Sequence, residues 1–174
     1  KELIDQGYPL VMARMGINSG EMVVGNMGSE DYFNYTVMGD TVNLAARLEP
    51  ANKEYDTLIM IGHNTYEMAL DHIHARQLDF MVVKGKTEPV AVYELFGLKE
   101  YEISSIDSEL LETYREGYKL YLNRNWDLAL NKFKYCLNLK ADDGPSKVYV
   151  DRTKYYMENE PEADWSGVYV MTHK

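Results

Sequence analysis

Asn43 and Arg47 stand four residues apart in the segment YTVMGDTVNLAARLE, residues 35–49. On a helix that spacing makes them neighbours on one face. An amide can donate to and accept from a sugar oxygen, and a guanidinium presents a fixed fork of donors that suits a phosphate. Thr36 lies shortly before them in a β-preferring run, where the plain reading is a strand residue. Spacing alone also describes a plain strand followed by a solvated helix face, with Arg47 paired to Glu49 or to nothing.

Positioning such a set takes a strand, a tight turn and a helix. Residues 32–38 alternate aromatic and polar side chains, as a strand does. Asp40 or Thr41 can cap the helix start, since either oxygen can accept from an orphan backbone N–H. Val42, Leu44, Ala45, Ala46 and Leu48 give the helix its apolar residues, and Pro50 is expected to end it. Upstream, residues 12–17 read as a buried strand and 21–26 as a second extended run, with Gly20 permitting the turn between them. Downstream, residues 57–61 read as a strand and 64–70 as a helix. Residues 75–83 and 90–96 read as a hairpin across GKTEP. After Gly97 the pattern changes: residues 108–122, 126–139 and 146–157 read as three helices broken by NRN and ADDGP.

The composition sets limits. In a chain of 174 residues one or two domains are expected, and 45% apolar content suits a globular chain. A net charge of −10 argues against a nucleic-acid surface, which needs a basic patch. The single cysteine, Cys136, cannot form an internal disulfide, which fits a reducing, cytoplasmic compartment. No apolar run approaches a membrane span, so no membrane contact by this segment is expected. The chain opens on Lys1 and reads as a fragment of a longer protein whose upstream part could carry an anchor.

DTVNLAAR, the upstream ARMGINSGEMVVGNMGSEDYFNYTVMGD and the downstream VVKGKTEPVAVYEL resemble the C-terminal half of a class III adenylate/guanylate cyclase catalytic domain. The order and spacing of these motifs across residues 10–97 resemble the bacterial adenylate cyclase type. The resemblance implies an α+β fold, half of a ferredoxin-like cyclase domain at residues 1–97. A linker at 98–106 and a helical tail at 107–174 would follow. It implies conversion of ATP to 3′,5′-cyclic AMP and pyrophosphate in signal transduction. Thr36 falls where the family reads the purine, commonly with Asp or Thr in adenylyl cyclases and Cys in guanylyl cyclases. Asn43 would orient the ribose, and Arg47 would stabilise charge developing on the phosphates.

The family uses Mg2+ or Mn2+ held by two aspartates, with a lysine that helps read adenine. All three lie upstream of the matched motifs. No acidic residue here falls in the metal motif, so no metal ligand is assigned and the chain alone is expected to be inactive. The hairpin near residues 28–35 resembles the family's dimer arm, and the lost strands would leave an open sheet edge. A homodimer or a domain-swapped oligomer is therefore expected. The tail resembles one degenerate tetratricopeptide-like unit, with Gly117, Ala129 and Phe133 at small, small, large spacing and Tyr118 and Trp126 packing beside them. Its ending, PEADWSGVYVM, resembles tails found after bacterial cyclase domains. Two other readings stand beside this one. One is a guanylate cyclase, against which Thr36 argues. The other is a non-catalytic interaction module in which the tail is the working part.

Other residues carry less. Gly16, Gly20, Gly25 and Gly28 form no nucleotide fingerprint. His63, His72, His74 and His173 show no zinc spacing. The sequon Asn34-Tyr35-Thr36 reads as incidental, Lys84-Gly85-Lys86 as a solvated hairpin tip, and Trp165 as an apolar anchor for the tail.

Overall fold

The computed structural model describes residues 5–9, 11–29, 32–81 and 89–168. Strands β1 (Met15–Ile17), β4 (Ile59–Gly62), β5 (Ile73–Met81) and β6 (Val90–Leu98) make one sheet in the order β1-β4-β6-β5. β1 runs parallel to β4, and the other pairs are antiparallel. Strands β2 (Val23–Ser29) and β3 (Tyr32–Met38) form a separate two-stranded arm, in register from Val23 opposite Met38 to Ser29 opposite Tyr32. The arm carries Val23, Val24, Phe33 and Tyr35 exposed, and β1 forms the outer edge of the sheet. The hairpin tip at Lys84-Gly85-Lys86 and the part of VVKGKTEPVAVYEL before Pro89 lie outside the described residues, as does His173.

Helix α1 (Asp40–Tyr55) follows β3 directly. Leu44, Leu48, Ala51, Asn52 and Tyr55 are its buried residues, and they recur at three- and four-residue steps. β1 packs close beneath it: a Cβ on Gly16 would collide with the carbonyl of Ala45. Two expectations about this helix are corrected. Neither Asp40 nor Thr41 caps it; Gly39 is the N-cap, at φ 149, a conformation that favours glycine, and Asp40 is already in the first turn. Nor does Pro50 end it. Proline removes one N–H, but the carbonyl four residues back belongs to exposed Ala46, where water can serve it. Beyond Pro50, burial of Ala51 and Tyr55 continues the apolar face. The Asn52 amide donates to the Met15 carbonyl at 3.0 Å, tying the late helix to β1. β1 is also shorter than expected, beginning at Met15 with Met12 exposed before it.

A short helix α2 (His63–Ala69) links β4 to β5. The tail forms α3 (Ser105–Leu122), α4 (Trp126–Leu139) and α5 (Gly144–Glu158). Ser104 caps α3, accepting from the N–H of Asp107, and Asp143 caps α5, accepting from that of Ser146. Gly117 lets α3 and α4 approach closely: a Cβ there would sit 3.0 Å from that of Lys132 and 3.1 Å from the Phe133 ring. Tyr118, Trp126, Ala129 and Phe133 are all buried in one cluster. Trp165 packs edge-on to Tyr121 and Trp126, as an anchor does. The same cluster runs without a break into Leu44, Leu48, Tyr55, Met60, Leu78 and Val92, so the tail and the sheet share one core.

Candidate functional site

The site is built around the turn from β3 into α1. Thr36 lies opposite Gly25 in the arm and is exposed. Asn43 is exposed on the first turns of α1, and Arg47 is half-buried one turn later. At about 100° per residue, Asn43 and Arg47 share one flank of the helix, beside the buried stripe of Leu44, Leu48 and Tyr55. The helix is oriented from below by that stripe, so this flank is held in place rather than free to roll. Among the described residues the side chains of Thr36, Asn43 and Arg47 have no hydrogen-bond or ion-pair partner. Glu49 therefore does not neutralise Arg47. A half-buried guanidinium with no partner is a ready donor to an incoming anion.

A cleft of about 360 Å³ opens beside the start of α1. Asp40, Thr41 and Leu44 line it from α1, with Asn18, His63 and Phe80 from other segments. Thr36, Asn43 and Arg47 are not in its lining. The Asn18 amide donates to the Thr41 carbonyl at 3.1 Å, which fixes the loop after β1 against the helix start. His63 Nδ1 lies 3.2 Å from the Tyr93 hydroxyl, and His63 Nε2 lies 3.3 Å from the Glu67 carboxylate. Burial, with the nearby Tyr66 and Glu67, pushes the Tyr93 phenol up to about 12. Sequence reasoning did not find this cleft. Its walls come from five separated segments, and no local pattern joins them.

Among the described residues no three His, Cys, Asp or Glu side chains converge. Asp40 stands at the start of α1 without such company, so the residues at hand do not by themselves fit a divalent cation, which takes several oxygen ligands.

An exposed two-stranded arm, a four-stranded sheet and a helix that presents the Asn43 amide and an Arg47 guanidinium unpaired among the described residues make up this part of the chain. Residues 2–97, more than half of the chain, match the adenylate and guanylate cyclase catalytic domain, and the chain belongs to that family. It is similar to the terminal-differentiation specific adenylate cyclase of Dictyostelium discoideum, at 33% identity over 148 residues. That match covers 83% of this chain and 7% of the relative. It is similar to adenylate cyclase 1 of Rhizobium meliloti, at 37% identity over 92 residues, which cover 53% of this chain and 14% of the relative. The crystal structure of the adenylyl cyclase CyaB from P. aeruginosa matches at 36% identity and a TM-score of 0.44, covering 60% of this chain and 50% of that one. The chain thus spans a small part of the curated relatives it matches.

Proposed function

We propose that this chain is the base-reading and transition-state half of an adenylate cyclase catalytic domain, which converts ATP to 3′,5′-cyclic AMP and pyrophosphate in signal transduction. The observation that carries the reading is the half-buried Arg47, without a partner among the described residues and one helical turn from Asn43, in a segment matched to the cyclase family. Thr36 accepts or donates at the adenine edge. Asn43 holds the ribose so that its 3′-oxygen faces the α-phosphate. Arg47 donates to the phosphate oxygens as charge builds on them, where a fixed cation is worth most. The metals, Mg2+ or Mn2+, belong to the complementary half-site of a homodimer or swapped oligomer. When bound there they supply Lewis-acid stabilisation of the triphosphate.

Residues 1–97 then form part of the catalytic unit, 98–106 a connection and 107–174 a helical appendage of tetratricopeptide-like type. A cytoplasmic site of action follows from the use of ATP. Among the described residues no helix is long and apolar enough to cross a membrane. The test is product analysis of the full-length protein given ATP or GTP with Mn2+. Cyclic AMP as the main product supports the reading. Cyclic GMP as the main product would make it a guanylate cyclase, and no cyclisation of either would leave an interaction module.

A further inference from the structure

Helix α1 carries Asn43 in its first turns and Arg47 at its middle, and ends at Tyr55 against the tail. A Cβ on Gly144, the first residue of α5, would collide with the carbonyl of Tyr55, so α5 abuts the end of α1 with no side chain between. The Tyr55 hydroxyl donates to Asp79 Oδ2 at 2.6 Å, and Arg152 of α5 donates both to that oxygen and to the Tyr55 hydroxyl. The other Asp79 oxygen accepts the N–H of Phe80 at 2.7 Å. Asp79 sits just past a register shift in β5, where Leu78 has no partner across the ladder. A bulge of that kind re-aims a side chain. The Leu78 carbonyl is instead taken by the Tyr149 hydroxyl of α5 at 2.6 Å. A second buried anchor joins Asp143, at the head of α5, to both terminal nitrogens of Arg76, at 3.0 and 2.6 Å.

From these contacts we propose that α5 is a clamp that sets the position of α1, with Arg152 and Gly144 as positioning residues for Asn43 and Arg47. The inference rests on the cyclase reading above. Every anchor on the tail side lies beyond the residues matched to the cyclase family. Arg47 and Tyr55 are eight residues apart, about 12 Å along the axis. A helix is stiff over that length, so a tilt released at Tyr55 shifts the guanidinium, and shifts of about 1 Å at a transition-state donor are costly. Removing Arg152 leaves the Asp79 carboxylate buried without its cation. The strain falls on Tyr55 and the bulge, the points that Arg152 itself holds, while the Asp143–Arg76 anchor stays in place.

The experiment uses the full-length protein and four variants: Arg152→Met, Arg152→Lys, Tyr149→Phe and Trp165→Leu. Trp165 packs on Tyr121, Trp126 and Tyr156, so its loss weakens the tail without touching the seam. Arg152→Met is expected to lower kcat about tenfold, with the KM for ATP unchanged within about twofold. Arg152→Lys is expected to recover part of the loss. Trp165→Leu is expected to keep kcat while lowering Tm. Should Arg152→Met not fold, Tyr149→Phe, which removes one hydroxyl, carries the same comparison. Wild-type kcat in Arg152→Met, or kcat losses in both Arg152→Met and Trp165→Leu that simply follow Tm, would overturn the clamp. Hydrogen exchange gives a second readout that needs no activity: amides 43–55 should exchange faster in Arg152→Met than in Trp165→Leu. Equal exchange would overturn the clamp. A wild-type protein that cyclises no nucleotide would end the cyclase reading instead, and exchange alone would then decide whether α5 holds α1.

Discussion

Arg47 is a guanidinium half-buried on α1 with no partner among the described residues, and its value in the account is that it waits for charge. In the full-length enzyme, Arg47→Ala should lower kcat by about 10²–10³-fold, the scale for losing one transition-state donor. Steady-state kinetics should show KM for ATP less affected, because the contact matters most at the transition state. Asn43→Ala should act in the same direction and more mildly. Asp143 offers a prediction about pH. Burial raises its carboxyl, but the bonds and charge of Arg76 and the bonds from Ser146 outweigh burial and hold it below the usual carboxylate range. Its folded pKa lies below its unfolded one, so its contribution is fully present above the unfolded value, about 3.9, and is lost as pH falls through the folded value. Glu94 opposes it: burial raises that carboxyl in spite of Arg76. Acid titration of stability should therefore flatten at its low-pH end in Asp143→Asn, and an unchanged acid limb would contradict the assignment. Asn43 and Arg47 were legible in the sequence because their relation is local, four residues on one helix. The Arg152, Asp79 and Tyr55 group was not. Arg152 lies 73 residues from Asp79 and 97 from Tyr55, and no periodicity connects them.

Most elements could be read from alternation and turn residues, and the misreadings have physical causes. Pro50 looked like a stop because proline lacks an N–H, yet the apolar stripe continued through Ala51 and Tyr55 and packing outweighed one lost bond. The cap was missed because Gly39, with no side chain to announce it, takes a backbone conformation closed to Asp40 and Thr41. The tail helices were legible from their apolar spacing, but their docking was not, since it depends on Gly144 and on a bulge in a distant strand. Phe133 is fully buried against Tyr114 and Tyr149. Phe133→Ala should cost about 3–5 kcal/mol, read by denaturant unfolding; a loss well under 1 kcal/mol would contradict its place in the core. Cys136 is buried between α3 and α5, and burial pushes its thiol up to about 11. It should react with a thiol reagent at pH 8 only as fast as the tail opens, and prompt labelling of the native protein would contradict that burial.

Taken as a molecule, the chain has a main core shared by sheet and tail, a smaller cluster around Ile61, Ile73 and Tyr93, and an uncovered side. Val23, Phe33 and Tyr35 of the arm are 64%, 66% and 77% exposed, and β1 ends the sheet with Met15 and Ile17 also exposed. Apolar surface beside an open strand edge favours pairing with another chain. Light scattering of the purified chain at micromolar concentration should therefore show association, and a monodisperse monomer that unfolds cooperatively would count against it. Alone, the chain should make no cyclic AMP from ATP and Mn2+, because on the proposed reading the metal-holding aspartates belong to the complementary half-site; robust turnover by the purified chain would contradict this. The central claim is that Asn43 and Arg47 serve one half of a site completed by a second catalytic domain. The direct measurement is complementation. Full-length Arg47→Ala protein is mixed with full-length protein in which the two aspartates that the proposed reading expects upstream of this segment are replaced by alanine, and cyclic AMP is measured in the verified mixed dimer. The account predicts that activity returns, since one of the two sites in that dimer is intact. A mixed dimer that forms and stays inactive would contradict it.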